Sequence, residues 1–188
     1  MKQLTVAVLT ALFLIGAPCF AKDVAGVQVP ETVTVQDTVL PLNGAGIRSR
    51  FFVKVYVGAL YLKNRETTTQ AVLAAPPPKS VRLHFIYDEV TADKLVGAWN
   101  DGFTGNNTPE ELNALKPRID QFNAMFPTVR KGDTLRIDLL TDGSTEVWFK
   151  DAKRGAVPGA DFQKALLKIW LGEKPADASL KDAMLGGK

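Results

Sequence analysis

Apolar and polar residues alternate along much of the first ninety positions, switch to a helical spacing after Thr91, and alternate again beyond Asp133. "TVTVQDTVLPLNG" sets β-branched residues two apart on either side of Gln36-Asp37-Thr38, which predicts two short strands and a turn. The preceding stretch, 22–31, reads as a polar lead-in closed by Pro30. Gly44-Ala45-Gly46 breaks the alternation, and because glycine accepts positive φ the pattern predicts a sharp turn there. Residues 51–63 give the strongest strand. Val53, Val55, Val57, Ala59 and Tyr61 fall on one face, and Lys54, Tyr56, Gly58, Leu60 and Leu62 on the other. Neither is plainly a solvent face. A short helix before the Pro76–Pro78 stop and a strand over 80–87 complete this half.

Thr91 is placed to cap a helix over 91–103, in which Leu95, Ala98 and Trp99 recur at i, i+3 and i+4. A second helix over 108–126 opens with Thr108, Pro109 and Glu111, a capping box with proline at the first helical position. Pro117 should kink or divide it. "DTLRIDLLTDGSTEVWFKD" predicts a β-hairpin turning at Asp142-Gly143. An amphipathic helix over 158–172 carries Phe162, Ala165, Leu166, Ile169 and Trp170 and ends at Gly172. "SLKDAMLG" makes a last short helix capped by Ser179. Strands first, paired helices, then a hairpin and further helices give an α+β fold, with helices packed on an antiparallel sheet.

The N-terminus lies outside that pattern. "MKQLTVAVLTALFLIGAPCFA" has Lys2, an apolar run from Leu4 to Ile15 and a small residue at Ala21, the layout of a secretory signal peptide cleaved after Ala21. The run is short for a membrane span, which makes a single uncleaved anchor the weaker reading, and cleavage leaves no stable membrane span. Start and composition are bacterial in type, which gives a periplasmic location. The chain thus divides into a leader, 1–21, and one domain, 22–188, long enough for a sizeable core. The single cysteine, Cys19, departs with the leader, so the domain needs no disulfide and has no thiol for nucleophilic or thiolate-metal chemistry. Loss of Lys2 lowers the net charge from +3 to +2. The charges are scattered without a basic block, which disfavours a nucleic-acid partner.

No nucleophile elbow, phosphate-binding glycine loop or histidine-rich metal spacing is present, and neither a metal nor a cofactor is implied. His84, the sole histidine, lies in a strand between Leu83 and Phe85 and reads as half-buried structure. Glu110 and Glu111 suit the first turn of a helix better than a catalytic pair. The basic residues Arg130, Lys131, Lys150, Lys153 and Arg154 read as solvated surface near loops. Arg48 and Tyr56 are both at even positions, so an unbroken strand would put them on one face but about 26 Å apart. They meet only if the chain turns between them, for which "IRSRFF" has room. Otherwise Arg48 pairs with an acid and Tyr56 fills the core.

"LNGAGIRSRFFVKVYVGALYL", 42–62, resembles the N-terminal signature of the chalcone isomerase-like family, in which a glycine-rich turn leads to an arginine and then to a long strand. "LHFIYDEVTADKLVGAWNDGF", 83–103, is similar to that family's strand-to-helix junction, and "KALLKIWLGEKPADASLKDAMLGG", 164–187, to its C-terminal helices. The resemblance implies an open-faced β-sandwich, a large antiparallel sheet with helices on one face and a ligand cleft between them. Plant members close a chalcone into a flavanone; others bind long-chain fatty acids without catalysis.

Position by position, the resemblance makes Arg48 the ligand arginine. Tyr56 stands where the enzymes place a threonine, as in the fatty-acid-binding members, which pair arginine with tyrosine on a carboxylate. Glu111 and Arg118 take the places of an enzyme tyrosine and asparagine, and Ile169 that of a threonine. An arginine fork with a tyrosine hydroxyl suits a carboxylate, and Ile169 suits an alkyl chain. The resemblance therefore implies a monomeric, non-catalytic protein that binds a long-chain fatty acid or similar lipophilic anion through Arg48, Tyr56 and Ile169. Two alternatives stay open: an intramolecular lyase of the chalcone–flavanone isomerase type with Arg48 as electrophile, and a structural or partner-binding envelope protein with a collapsed cleft.

Overall fold

The computed structural model describes residues 21–187. The leader expected over 1–21, with Cys19, lies outside them except for Ala21. In chain order the elements are β1 (Ala21–Val24), β2 (Val27–Pro30), β3 (Thr32–Val35), β4 (Thr38–Arg50), β5 (Val53–Tyr61), α1 (Thr69–Ala74), β6 (Lys79–Phe85) and β7 (Glu89–Val90). Then come α2 (Ala92–Asn106), α3 (Pro109–Asn123), β8 (Val129–Arg130), β9 (Thr134–Leu139), β10 (Thr145–Phe149), β11 (Ala152–Val157), α4 (Ala160–Leu171) and α5 (Ala178–Met184).

Seven strands form one antiparallel sheet in the order β11-β10-β9-β6-β5-β4-β3. The helices cover one face of it, as the α+β pattern and the open-faced sandwich require. Strand alternation sets the two sides of β5. Tyr56, Leu60 and Leu62 enter the core beneath the helices, with Trp99, Phe103, Phe122 and Trp170. Val57, Ala59 and Tyr61 enter a smaller core on the other side, where Val27 and Val29 cover them. This second cover explains why β5 has no solvent face. It comes from the β1–β2 hairpin, in the stretch read from sequence as a lead-in; residues 22–31 pair instead, because Ala25-Gly26 supplies a left-handed turn.

Gly44-Ala45-Gly46 makes no turn. It runs through the middle of β4, and its glycines serve close approach rather than positive φ. A Cβ at Gly44 would collide with the carbonyl oxygen of Ala183, one at Gly46 would stand 2.5 Å from the Ala183 Cβ, and one at Gly58 2.9 Å from the Met184 Cε. The three glycines form a trough in the sheet that seats α5. Asn43 fixes the far end of α5, donating to the carbonyls of Met184 (2.7 Å) and Glu66 (2.9 Å). The cap of α5 is Asp177 rather than Ser179.

Elsewhere the capping box of α3 forms as the sequence requires, with Thr108 and Glu111 exchanging backbone bonds, and α3 continues through Pro117 as one helix. Thr91 occupies the N-cap of α2 without using its side chain; Thr128 accepts the Ala92 N–H instead. Lys153 and Arg154 lie on β11, an exposed edge strand. Among the described residues no helix is long and apolar enough to cross a membrane.

Lys79 is 5% exposed, and its ammonium donates to the Val72 carbonyl at 2.7 Å. Burial, aided by the charge of Lys164, pulls its pKa down to about 8 from 10.5. Between those values the unfolded chain holds a proton that the folded chain has released, so Lys79 makes stability rise with pH across that window. Denaturation midpoints at about pH 7.5 and about pH 9.5 should show that rise, and Lys79→Met should flatten it.

Candidate functional site

The chain reverses between Arg48 and Tyr56, and the reversal brings them together. Phe51 and Phe52 take φ of 49° and 67°, the paired left-handed conformations of a two-residue hairpin turn. β4 folds back onto β5 there, and Arg48 becomes the cross-strand partner of Tyr56. The arginine carbon Cζ lies 5.6 Å from the centroid of the tyrosine ring. A register shift between Arg48 and Ser49 accompanies the pairing. Asp177, the N-cap of α5, anchors this end of β4 by accepting the Ser49 N–H at 2.8 Å while accepting the Leu180 N–H at 2.9 Å.

Tyr56 is buried, edge-on to Phe85, and its hydroxyl accepts a hydrogen bond from Trp170 Nε1 at 3.0 Å. Burial pushes its pKa up to about 12, with the Arg48 charge the leading opposing influence. The hydroxyl therefore stays protonated in neutral solution, but Tyr56 is 1% exposed and does not line the space beside Arg48, so it positions the arginine rather than touching a ligand as the resemblance implied. Arg48 is only partly buried. Among the described residues, no carboxylate forms a salt bridge with it. The acid partner that strand periodicity allowed is not there, and the guanidinium borders open space.

That space is a cleft of about 550 Å³ between the end of the β4–β5 hairpin, the Tyr87–Val90 segment and α2. Small-molecule sites span roughly 300–1,000 Å³. Val55, Val90, Leu95 and Ala98 supply apolar wall; Arg48 lies on one side, and Lys94 and Asp101 on the α2 side. Glu89, also on the wall, is neutralised by Arg130 at 2.6 Å. An apolar channel with an unpaired arginine fork has the chemistry to hold an amphiphile by a bidentate anion contact at one end and by burial of alkyl surface along the rest. Among the described residues no cluster of three or more metal-ligating side chains is present.

Ile169 lies elsewhere. It is fully buried in α4 against Gly102 of α2, where a Cβ would stand 2.8 Å from the isoleucine Cγ2, and it does not line the Arg48 cleft. Its neighbour Trp170 is the α4 residue that reaches the arginine–tyrosine pair. Sequence reasoning passed over Trp170 as core, although a tyrosine buried in a strand requires a hydroxyl partner. Glu111 is occupied by the α3 capping box, and Arg118 by a bidentate pair with Asp161, both bonds 2.6 Å. Neither lines the cleft. Trp99 packs on Trp170 with ring centroids 5.6 Å apart, and its buried Nε1 lacks a partner among the described residues.

A family model described as chalcone isomerase-like matches residues 21–186. No curated protein matches. Among solved structures, a fatty-acid binding protein of Arabidopsis thaliana superposes with a TM-score of 0.67 at 14% sequence identity, over 85% of this chain and 92% of that one. At that identity the likeness is one of fold.

Proposed function

The chain belongs to the chalcone isomerase-like family, and from that premise we propose that it binds a fatty acid or a similar lipophilic carboxylate in the Arg48 cleft, without catalysis, after export to the periplasm. One observation carries this: a partly buried guanidinium, with no carboxylate partner among the described residues, at the edge of an apolar cleft of about 550 Å³. A guanidinium beside apolar wall without a counter-charge gains from an incoming carboxylate, which meets it by charge-assisted hydrogen bonds. Tyr56 fixes the arginine by its ring, and Trp170 fixes Tyr56. The fatty-acid binding activity named for the Arabidopsis neighbour, which shares the fold, supports the same ligand class.

Binding is favoured over isomerisation by the side chains at the positions that resemble the enzyme contacts. A developing enolate needs donors preorganised around it. Ile169 has none to offer, Arg118 is committed to Asp161, and Glu111 to its capping box.

Mass spectrometry of an organic extract of the purified protein tests the proposal. A long-chain carboxylate at about one per protein is expected in the parent and should be missing from Arg48→Ala. A parent that carries no such acid, and takes none up when incubated with it, contradicts the proposal.

A further inference from the structure

Among the described residues, five large apolar side chains stand exposed: Val39, Phe51, Phe52, Val53 and Tyr87. Four of them collect at one end of the molecule. Phe51, Val53 and Tyr87 border the mouth of the cleft, and Phe52 shares the hairpin tip with Phe51. The two phenylalanines are 84% and 105% exposed, so neither ring contributes to the core.

Their backbone makes the placement more pointed. A two-residue turn with both φ positive favours asparagine and glycine, and bulky side chains resist it. Phe51 and Phe52 thus oppose folding locally and offer apolar surface to water. A clustered exposed apolar patch marks a contact surface.

Charge indicates the partner. Arg50 and Lys54 flank the tip, and Lys94 stands at the cleft on α2. Among the described residues none of these three cations takes part in a salt bridge. On the acidic side, Asp101 lies on the α2 side of the cleft and Glu89 is held by Arg130. Aromatic rings on a protruding turn with a cationic collar match the boundary of an anionic bilayer, where rings enter the headgroup region and cations stay with the phosphates. A tip of four side chains falls well short of the roughly 800 Å² per partner that a stable protein interface takes.

We propose that the Phe51–Phe52 tip docks the protein on anionic lipid bilayers, with the mouth of the cleft turned to the lipid. Passage of a carboxylate from bilayer to cleft rests on the binding proposed above; docking does not. Co-sedimentation with vesicles of phosphatidylcholine and phosphatidylglycerol, against vesicles of phosphatidylcholine alone, tests it. Protein stripped of lipid and vesicles free of fatty acid keep the readout independent of cleft binding. Parent and variant begin at Lys22, so that no leader contributes.

The variant is Phe51→Asn with Phe52→Gly, which gives the turn the residues it favours and should melt no lower than the parent. Partition of the parent onto the anionic vesicles is expected, with a drop of about tenfold or more in the variant and weakening with added salt. A parent that stays in solution with both vesicle types, or a folded variant that partitions as its parent does, overturns the proposal. Loss of self-association in the variant, with no lipid binding by the parent, would overturn it too and assign the tip to a second copy of the chain.

Discussion

Alanine at Gly44 is expected to destabilise the protein by about 3 kcal/mol or more, and alanine at Gly97 to stabilise it by about 1 kcal/mol. The opposite signs follow from what each new methyl meets. At Gly44 it collides with the backbone carbonyl of Ala183, and backbone cannot rotate away as a side-chain tip can. α5 must lift from its trough, which loosens Asn43 from the Met184 carbonyl and moves the Asp177 cap away from Ser49. At Gly97 the new methyl has nothing within 4 Å, and the exchange removes a flexible residue from a helix interior. Denaturant titration of the two variants beside the parent reads both effects. Equal and small changes would mean that α5 does not depend on the glycine trough.

The second large effect falls on Arg48. Arg48→Ala should weaken binding of a long-chain fatty acid by about ten- to a hundredfold, the weight of about 1.5–3 kcal/mol for hydrogen bonds to a charged group. A fatty alcohol of the same length should bind parent and variant alike, because its headgroup carries no charge for the guanidinium to meet. Displacement of a fluorescent fatty acid by each ligand gives the four affinities. Equal losses for acid and alcohol would point to a collapsed cleft rather than to a lost ion pair.

The sequence makes some of these features plain and hides others, for separable physical reasons. The capping box of α3, the apolar face of α4 and the double-sided burial of β5 are local patterns, and each forms as its spacing dictates. The glycines at 44 and 46 mislead because glycine serves two ends, positive φ and close approach. Only the arrival of α5, some 140 positions later as at Asn43 and Met184, shows which one applies here. The actual reversal, at Phe51-Phe52, carries none of the glycine or asparagine that marks such turns. The distance between Arg48 and Tyr56 was therefore not legible, although their shared face was. β1 and β11 escape notice because they have little apolar alternation of their own, and β2 because its alternation, Val27 and Val29 about Gln28, is only one repeat long. The contact of Trp170 with Tyr56 joins residues 114 positions apart and leaves no local trace.

The central claim is that an anionic headgroup sits on Arg48 with its chain in the cleft beside α2. A crystal structure of the protein with a long-chain fatty acid brominated at its methyl end tests this most directly, since anomalous scattering locates the bromine without ambiguity. The expected result is a carboxylate within hydrogen-bond distance of the Arg48 guanidinium and a bromine peak against the wall formed by Val90, Leu95 and Ala98. A bromine peak in another cavity, such as the one of about 240 Å³ that Val29, Ala59 and Arg82 line beneath the β1–β2 hairpin, with the space beside Arg48 holding no ligand, would contradict it.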